Sequence, residues 1–372
     1  MTDTALSCTR HGTTTRLRCA ECGTPICPEC LVKTDVGMKC IEHASPLVAP
    51  KISPKRQVRG LVLTLVGLAA VVGGTVALLS GVGGDGGEPP EGGAPVGLPS
   101  PDRIDTPQVA VMAADGSGKR ILTNRPLAFD NRPAWSPDGS RIAFESLVDG
   151  RQSIWVMEAT GERLRRLTEG AGGDSAPAWS PDGTTIAFMS DRDNDPEVYL
   201  MNADGSDPRR LTDRPGMDGY PAWWPDGSRL AFVSDRNGIL RVWTMAPDGS
   251  SPSLLSDVPA LGDRPSVSRD GRRLLFTSDR DGNPEVYMVA TDGAGLTRLT
   301  DTPAADGEAV FSPDSTRIAF ASDRDGSAAV YVMAVDGTGV RKLTTGPRGF
   351  MPAWSPDGHS LLYVSDAGAP GS

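Results

Sequence analysis

Apolar and polar positions alternate in two different ways along this chain. From about residue 104 to residue 366 the apolar positions come in short runs such as "TIAFMS" and "EVYLMN". These runs are alternating or rich in β-branched and aromatic residues, and Pro, Asp, Asn or Gly bounds each one. Such runs predict short strands joined by turns. Between Gly60 and Gly84 the pattern changes, and "GLVLTLVGLAAVVGGTVALLSGVGG" holds no charged residue. Its apolar part, residues 58–82, is long enough as a helix to cross a hydrocarbon core of ~30 Å.

The strand pattern is periodic. "PAWSPDG" occurs at Pro133–Gly139, Pro177–Gly183 and Pro352–Gly358, with "PAWWPDG" at Pro221–Gly227. The large residue after "PA" falls at Trp135, Trp179, Trp223, Val267, Phe311 and Trp354, in four steps of 44 residues and one of 43. Nine residues further on stand Phe144, Phe188, Phe232, Phe276, Phe320 and Tyr363. Trp155, Tyr199, Trp243, Tyr287 and Tyr331 lie 20 residues after the marker. A period near 44 with aromatics in fixed register is a propeller signal. The unit holds four strand-like runs, in the second unit "PAWS", "TIAFMS", "EVYLMN" and "RRLT". The last unit stops after its second run, Ser360–Asp366, and the first strand-like stretch, Gln108–Thr123, matches a third and fourth run. Joined, the fragments make a sixth blade, and the ring closes by pairing the two ends of the β region.

The SPDG repeat resembles that of TolB-like, WD40-like propellers over about 260 residues. The resemblance implies an all-β fold, a six-bladed propeller over residues 104–366, followed by a tail at 367–372. It implies little about activity, because propellers host unrelated functions.

Residues 1–46 follow neither pattern. They carry four paired ligand steps: Cys8-x2-His11, Cys19-x2-Cys22, Cys27-x2-Cys30 and Cys40-x2-His43. Two intervening residues let both side chains of a pair reach one tetrahedral ion, so eight ligands suit two Zn²⁺. So short a segment has little apolar material, and metal binding would supply its folding free energy. The spacing resembles the B-box zinc fingers, and also the zinc-binding N-terminal extension of some bacterial rhomboid-like membrane proteins. B-box cross-bracing would put Cys8, His11, Cys27 and Cys30 on one ion, and Cys19, Cys22, Cys40 and His43 on the other. Cys40 departs from the family, many members of which have His there. The resemblance implies a protein-interaction module.

Charge sharpens the organisation. Residues 1–59 hold nine Lys/Arg and five Asp/Glu, against 28 and 42 in the remainder. The acidic body argues against nucleic-acid binding, and the zinc segment has no aromatic residue for base stacking. Lys51, Lys55, Arg56 and Arg59, in the basic juxtamembrane segment 47–57 and just beyond it, precede the apolar stretch, whereas Asp85 and Glu88 follow it. The positive-inside rule then predicts a single-pass cell-membrane protein, with the zinc segment cytoplasmic and the propeller extracytoplasmic. All six Cys lie between Cys8 and Cys40, which agrees with reduced thiolates on the cytoplasmic side. A Gly/Pro-rich linker spans 83–103.

Candidate chemistry gathers on the propeller face opposite the SPDG turns, where the longer between-blade connections lie. Asp130, Asp174, Asp218 and Asp306 sit five residues before the marker, with Asp263 shifted by one. The Ser-Asp-Arg set adds Asp191/Arg192, Asp235/Arg236, Asp279/Arg280 and Asp323/Arg324. These could hold Ca²⁺ or receive a basic peptide. The structural alternative is that they bond loop N–H groups and pair with Arg between blades. Enzyme chemistry finds little support. No G-x-S-x-G is present, and His359 after an SPDG turn is the only His outside the zinc segment. The expectation is therefore a non-enzymatic, membrane-anchored scaffold binding envelope proteins, peptides or glycans outside and a protein partner inside. The alternative is an extracytoplasmic carboxylate- or metal-dependent hydrolase or lyase acting on glycan or peptide.

Overall fold

The computed structural model describes residues 106–366, apart from 126, 171 and 347, and four short strands near the N-terminus. Backbone contacts divide the chain into two units, Met1–Leu78 and Leu79–Ser372. In the first, Leu6–Ser7 pairs with Thr14–Thr15, and Leu31–Thr34 pairs with Gly37–Cys40. The remaining zinc-ligand candidates, the ligand side chains and the 58–82 stretch lie outside the described residues. Among the described residues no helix is long and apolar enough to cross a membrane.

The second unit is a six-bladed propeller of four-stranded antiparallel sheets. Blade 2 is representative, with Asp174–Trp179, Thr185–Ser190, Glu197–Asn202 and Arg209–Arg210 in order from the channel outward. Blade 6 is assembled as the fragments predict: Gly349–Trp354 and Ser360–Ser365 come from the C-terminal end, Gln108–Ala113 and Arg120–Ile121 from the start. The closing pair runs in unbroken register from Ser360↔Ala113 to Ser365↔Gln108.

The periodic aromatics now have a cause. The residues 9 and 20 positions after the marker face each other across the second and third strands, as Phe188↔Tyr199, Phe276↔Tyr287 and Phe320↔Tyr331. Their ring centroids are 5.7–5.9 Å apart, a geometry worth about 0.5–1.5 kcal/mol beyond area burial. The core lies between blades. Ala143 and Ile154 of blade 1 pack with Ile186 and Phe188 of blade 2, and Val109 and Leu362 of blade 6 pack with Ile142 and Phe144 of blade 1.

The SPDG phrase is a turn that satisfies itself. The Gly139 N–H donates to the Ser136 carbonyl at 2.9 Å, and the Ser136 hydroxyl donates to Asp138 at 2.5 Å. Gly139 has φ +71°, which Gly adopts without steric cost. The hydroxyl of Ser136 and the N–H and hydroxyl of Ser140 hold Asp138 down to about 2. His359 is exposed beside the equivalent turn, and its N–H donates to Asp357.

A second glycine, in the turn between third and fourth strands, fixes the spacing of the blades. Gly205 (φ +91°) abuts the blade-1 chain, and a Cβ there would meet the Leu167 carbonyl oxygen at 2.7 Å. Gly118 (φ +63°) has open space around it. We expect Gly205→Ala to cost about 2–4 kcal/mol, from left-handed strain plus overpacking, and Gly118→Ala about 1–2 kcal/mol, from strain alone. Denaturant unfolding of the two variants checks the order, and equal losses would refute the packing role.

Candidate functional site

The Asp and Arg residues read from the repeat come together, but within blades rather than between them. Asp174 opens the innermost strand of blade 2, and Arg192 follows the second strand of the same blade. Their side chains meet at 2.9 Å; Arg236–Asp218 (2.8 Å) and Arg324–Asp306 (2.9 Å) repeat the pair in blades 3 and 5. Each Arg also donates from Nε to the Ser of Ser-Asp-Arg. Each lies over the aromatic ring of the third strand, at 4.7–4.9 Å. The Asp of Ser-Asp-Arg has a different task. Asp191, Asp235 and Asp323 accept the N–H of Gly173, Met217 and Ala305 in the connection from the preceding blade.

Two blades solve the same problem differently, and a third leaves it out. In blade 1, Val148 stands where Arg would be, and Arg125 takes over from the preceding connection. It pairs with Asp130, donates to Ser146 and lies 4.5 Å from the Trp155 ring. In blade 6, Gly349 replaces the Asp, and Arg348 pairs with Asp366 at 3.5 Å. In blade 4, Gly262 occupies the Asp position, and Arg280 lies 3.7 Å from the adjacent Asp281. The Asp279 carbonyl accepts the Gly282 N–H within its own turn. Among the described residues no three His, Cys, Asp or Glu side chains converge as a metal site.

The channel carries a feature that the repeat conceals. In five blades the innermost strand has a β-bulge just before the marker. The residue three positions before the marker then takes a left-handed backbone: Arg132 (φ 47°), Ala176 (52°), Tyr220 (54°), Glu308 (55°) and Met351 (53°). Arg264 holds that position in blade 4, whose inner strand is only Ser266–Val267. Such strain persists where the surrounding structure enforces it, and it clusters at ligand clamps. Here five of the six residues, all but Tyr220, line a cavity of about 40 Å³. Arg132 bonds Glu145 at 3.0 Å and lies 5.1 Å from the Tyr220 ring centre. Burial opposes the Arg132 charge, but Glu145, Tyr220 and Glu308 raise it above its ordinary value. Burial pushes both Asp263 and Glu308 up. Asp263 accepts the Thr277 hydroxyl and the Glu308 N–H through one oxygen, and its other oxygen is buried without a partner.

Beyond this ring the channel widens into a funnel of about 370 Å³ on the SPDG face. All six marker residues, Trp135, Trp179, Trp223, Val267, Phe311 and Trp354, line it, with prolines of the turns. This is the face that strand order alone set second. The markers were legible as a ruler, but not as a wall. Their neighbours in the ring were missed altogether, although one signal was present: in the four copies that read "PAW", the letter before it changes each time, from Arg132 to Ala176, Tyr220 and Met351.

The TolB beta propeller domain model matches residues 103–214, 212–300 and 253–370. The chain belongs to this family. Two curated relatives match locally. A Protein TolB homolog of Protochlamydia amoebophila is 38% identical over 52 residues, 14% of this chain and 11% of that protein. The Tol-Pal system protein TolB of Zymomonas mobilis is 41% identical over 61 residues, 16% of this chain and 13% of that protein. The matches thus span little of either relative's length. Among solved structures, TolB from Acinetobacter baumannii superimposes with TM-score 0.60 at 22% identity, covering 67% of this chain and 66% of its own. A protein described as a TolB of Agrobacterium tumefaciens gives TM-score 0.62 at 23% identity, covering 70% and 98%. Both likenesses show the fold.

The Asp218–Arg236 pair makes a test of the internal pairs. Burial raises Asp218, and Ser234 and Arg236 work in the other direction. Removing the guanidinium leaves an uncompensated buried carboxylate, and Arg236→Met should cost about 3–5 kcal/mol at neutral pH. An acid raised in the folded state loses stability as pH rises through its folded value and is spared below its unfolded one, near pH 4. The deficit of Arg236→Met should therefore shrink on acidification from pH 8 to pH 4. A deficit that stays constant across that range would show that the pair contributes packing alone.

Proposed function

We propose that this chain is a non-catalytic binding protein of the cell envelope. Its propeller captures proteins, peptides or glycan at the channel, and a single membrane span at 58–82 joins it to a cytoplasmic zinc module. That module holds two Zn²⁺ through Cys8, His11, Cys19, Cys22, Cys27, Cys30, Cys40 and His43 and recruits a protein partner. One observation carries the binding reading: the channel opens as an aromatic-walled funnel, with Arg264 and Arg269 on its lining, above a ring of variable side chains. Concave clefts that combine aromatic side chains with a few convergent polar groups are a usual form of binding site. The Asp and Arg residues of the opposite face are engaged with one another and with loop N–H groups in blades 2, 3 and 5, which favours binding over carboxylate catalysis. The family membership and the TolB relatives support the same reading.

Crosslinking of tagged full-length protein in membranes, followed by purification, tests it. Envelope proteins or peptides should be enriched, and Trp223→Ala, which removes a partly buried side chain of the funnel wall, should reduce the yield severalfold in protein that still folds. Release of product from cell-wall fragments or peptides by the purified protein would replace the binding reading with the hydrolase or lyase one.

The zinc assignment has its own measurement. Elemental analysis of the full chain should give two zinc per molecule, and Cys19→Ser or Cys27→Ser should leave one or fewer, because each breaks a four-ligand set. Full-length protein purified with no zinc from zinc-replete cells would refute the assignment.

A further inference from the structure

Five of the six ring positions are answered or neutral. Arg132 has Glu145, Glu308 accepts the Met351 N–H at 2.7 Å, and Ala176, Tyr220 and Met351 carry no charge. Arg264 differs. Its one bond among the described residues runs from Nη1 to the Pro177 carbonyl at 3.3 Å. Among the described residues no carboxylate pairs with it, although Asp263 and Glu308 border the same small cavity. Burial, and then the like charge of Arg132, hold it down to about 10, so it is still a cation at neutral pH. None of its nitrogens is buried without a partner. It is the one ring residue that borders both the small cavity and the funnel.

The funnel above it is complementary to an anion with an apolar body. Trp, Phe and Pro form much of its wall, Arg264 and Arg269 are the charged residues on it, and no Asp or Glu borders it. The carboxylates of the SPDG turns stand outside, and Asp138, Asp182 and Asp314 are already held by Ser hydroxyls. That outer negative charge disfavours polyanions and leaves room for one that carries a single charge. The wall also offers backbone groups. Each innermost strand pairs on one side only, so its other edge faces the channel, and the Pro177 carbonyl beside Arg264 lies on such an edge.

We propose that Arg264 receives the C-terminal carboxylate of a peptide ending in an apolar residue, which enters the channel from the SPDG face. The guanidinium takes the carboxylate through two parallel N–H donors, the last side chain stacks against the Trp and Pro wall, and the exposed strand edge meets the peptide backbone. This inference rests on the binding reading above and assigns a chemical class to what the funnel holds.

The full-length protein is titrated with acetyl-Ala-Ala-Phe as the free acid and as its C-terminal amide, following the fluorescence of the funnel tryptophans. The acid should bind at least about tenfold more tightly than the amide, the scale of one charge-assisted hydrogen bond. Arg264→Met should abolish that preference, and Arg264→Lys should keep part of it. Thermal melts of both variants separate loss of the site from loss of the fold. Equal binding of acid and amide, or a preference that survives Arg264→Met in a folded protein, overturns the proposal. So does 4-phenylbutyrate binding as tightly as the peptide acid, because the site would then read a carboxylate and not a chain end. Envelope capture that persists when the peptide fails to bind sinks this inference alone; failure of both removes the binding reading too.

Discussion

Every blade of this propeller depends on one pairing that joins the two ends of its β region. Ser360–Ser365 and Gln108–Ala113 form six consecutive register pairs. Without them, blades 5 and 1 would each lose a neighbour, and the apolar clusters that lie between blades would open at one place. Because the core is distributed between neighbours, a gap anywhere exposes core. The closing contact is also the longest in sequence. Loop-closure entropy must be met before this pairing can form, which makes it the entropically costliest contact of the ring.

Closure explains why the repeat is literal. A residue in one blade meets the same kind of neighbour in the next, so the requirement on it recurs six times. The turn glycine against the leucine carbonyl of the preceding blade is one case: Gly116, Gly161, Gly205, Gly249, Gly293 and Gly337 all approach the equivalent Leu. The threonine of "LT" is another. Thr123, Thr168, Thr212, Thr300 and Thr344 each accept an N–H from the third strand at 2.9–3.0 Å. Repetition here records a mechanical demand, not a repeated chemistry.

That distinction decides what could be read in advance. The blade count and the split blade were legible because side-chain type alone marks them, through aromatics in register and turns with fixed chemistry. The Asp and Arg sets were legible as residues, but their partners were not. Arg192 reaches Asp174 because the first hairpin of the blade sets the two side by side, and Arg125 substitutes in blade 1 from a different place in the chain, which no period reveals. The ring of bulge residues was least legible. Its backbone sign comes from a register shift between strands, and four of its five left-handed residues stand before proline, a place that gives no local hint of such a turn. The zinc ligands are a different case, since their meaning is carried by spacing.

The bulge has one more consequence. It asks for a left-handed backbone, a demand that most side chains resist about equally. Arg, Ala, Tyr, Glu and Met all accept it in this one chain. The backbone requirement and the side-chain identity are therefore independent at this position. Five unlike side chains can thus share one strained place beside the channel, while the letters that fold the blades around it repeat.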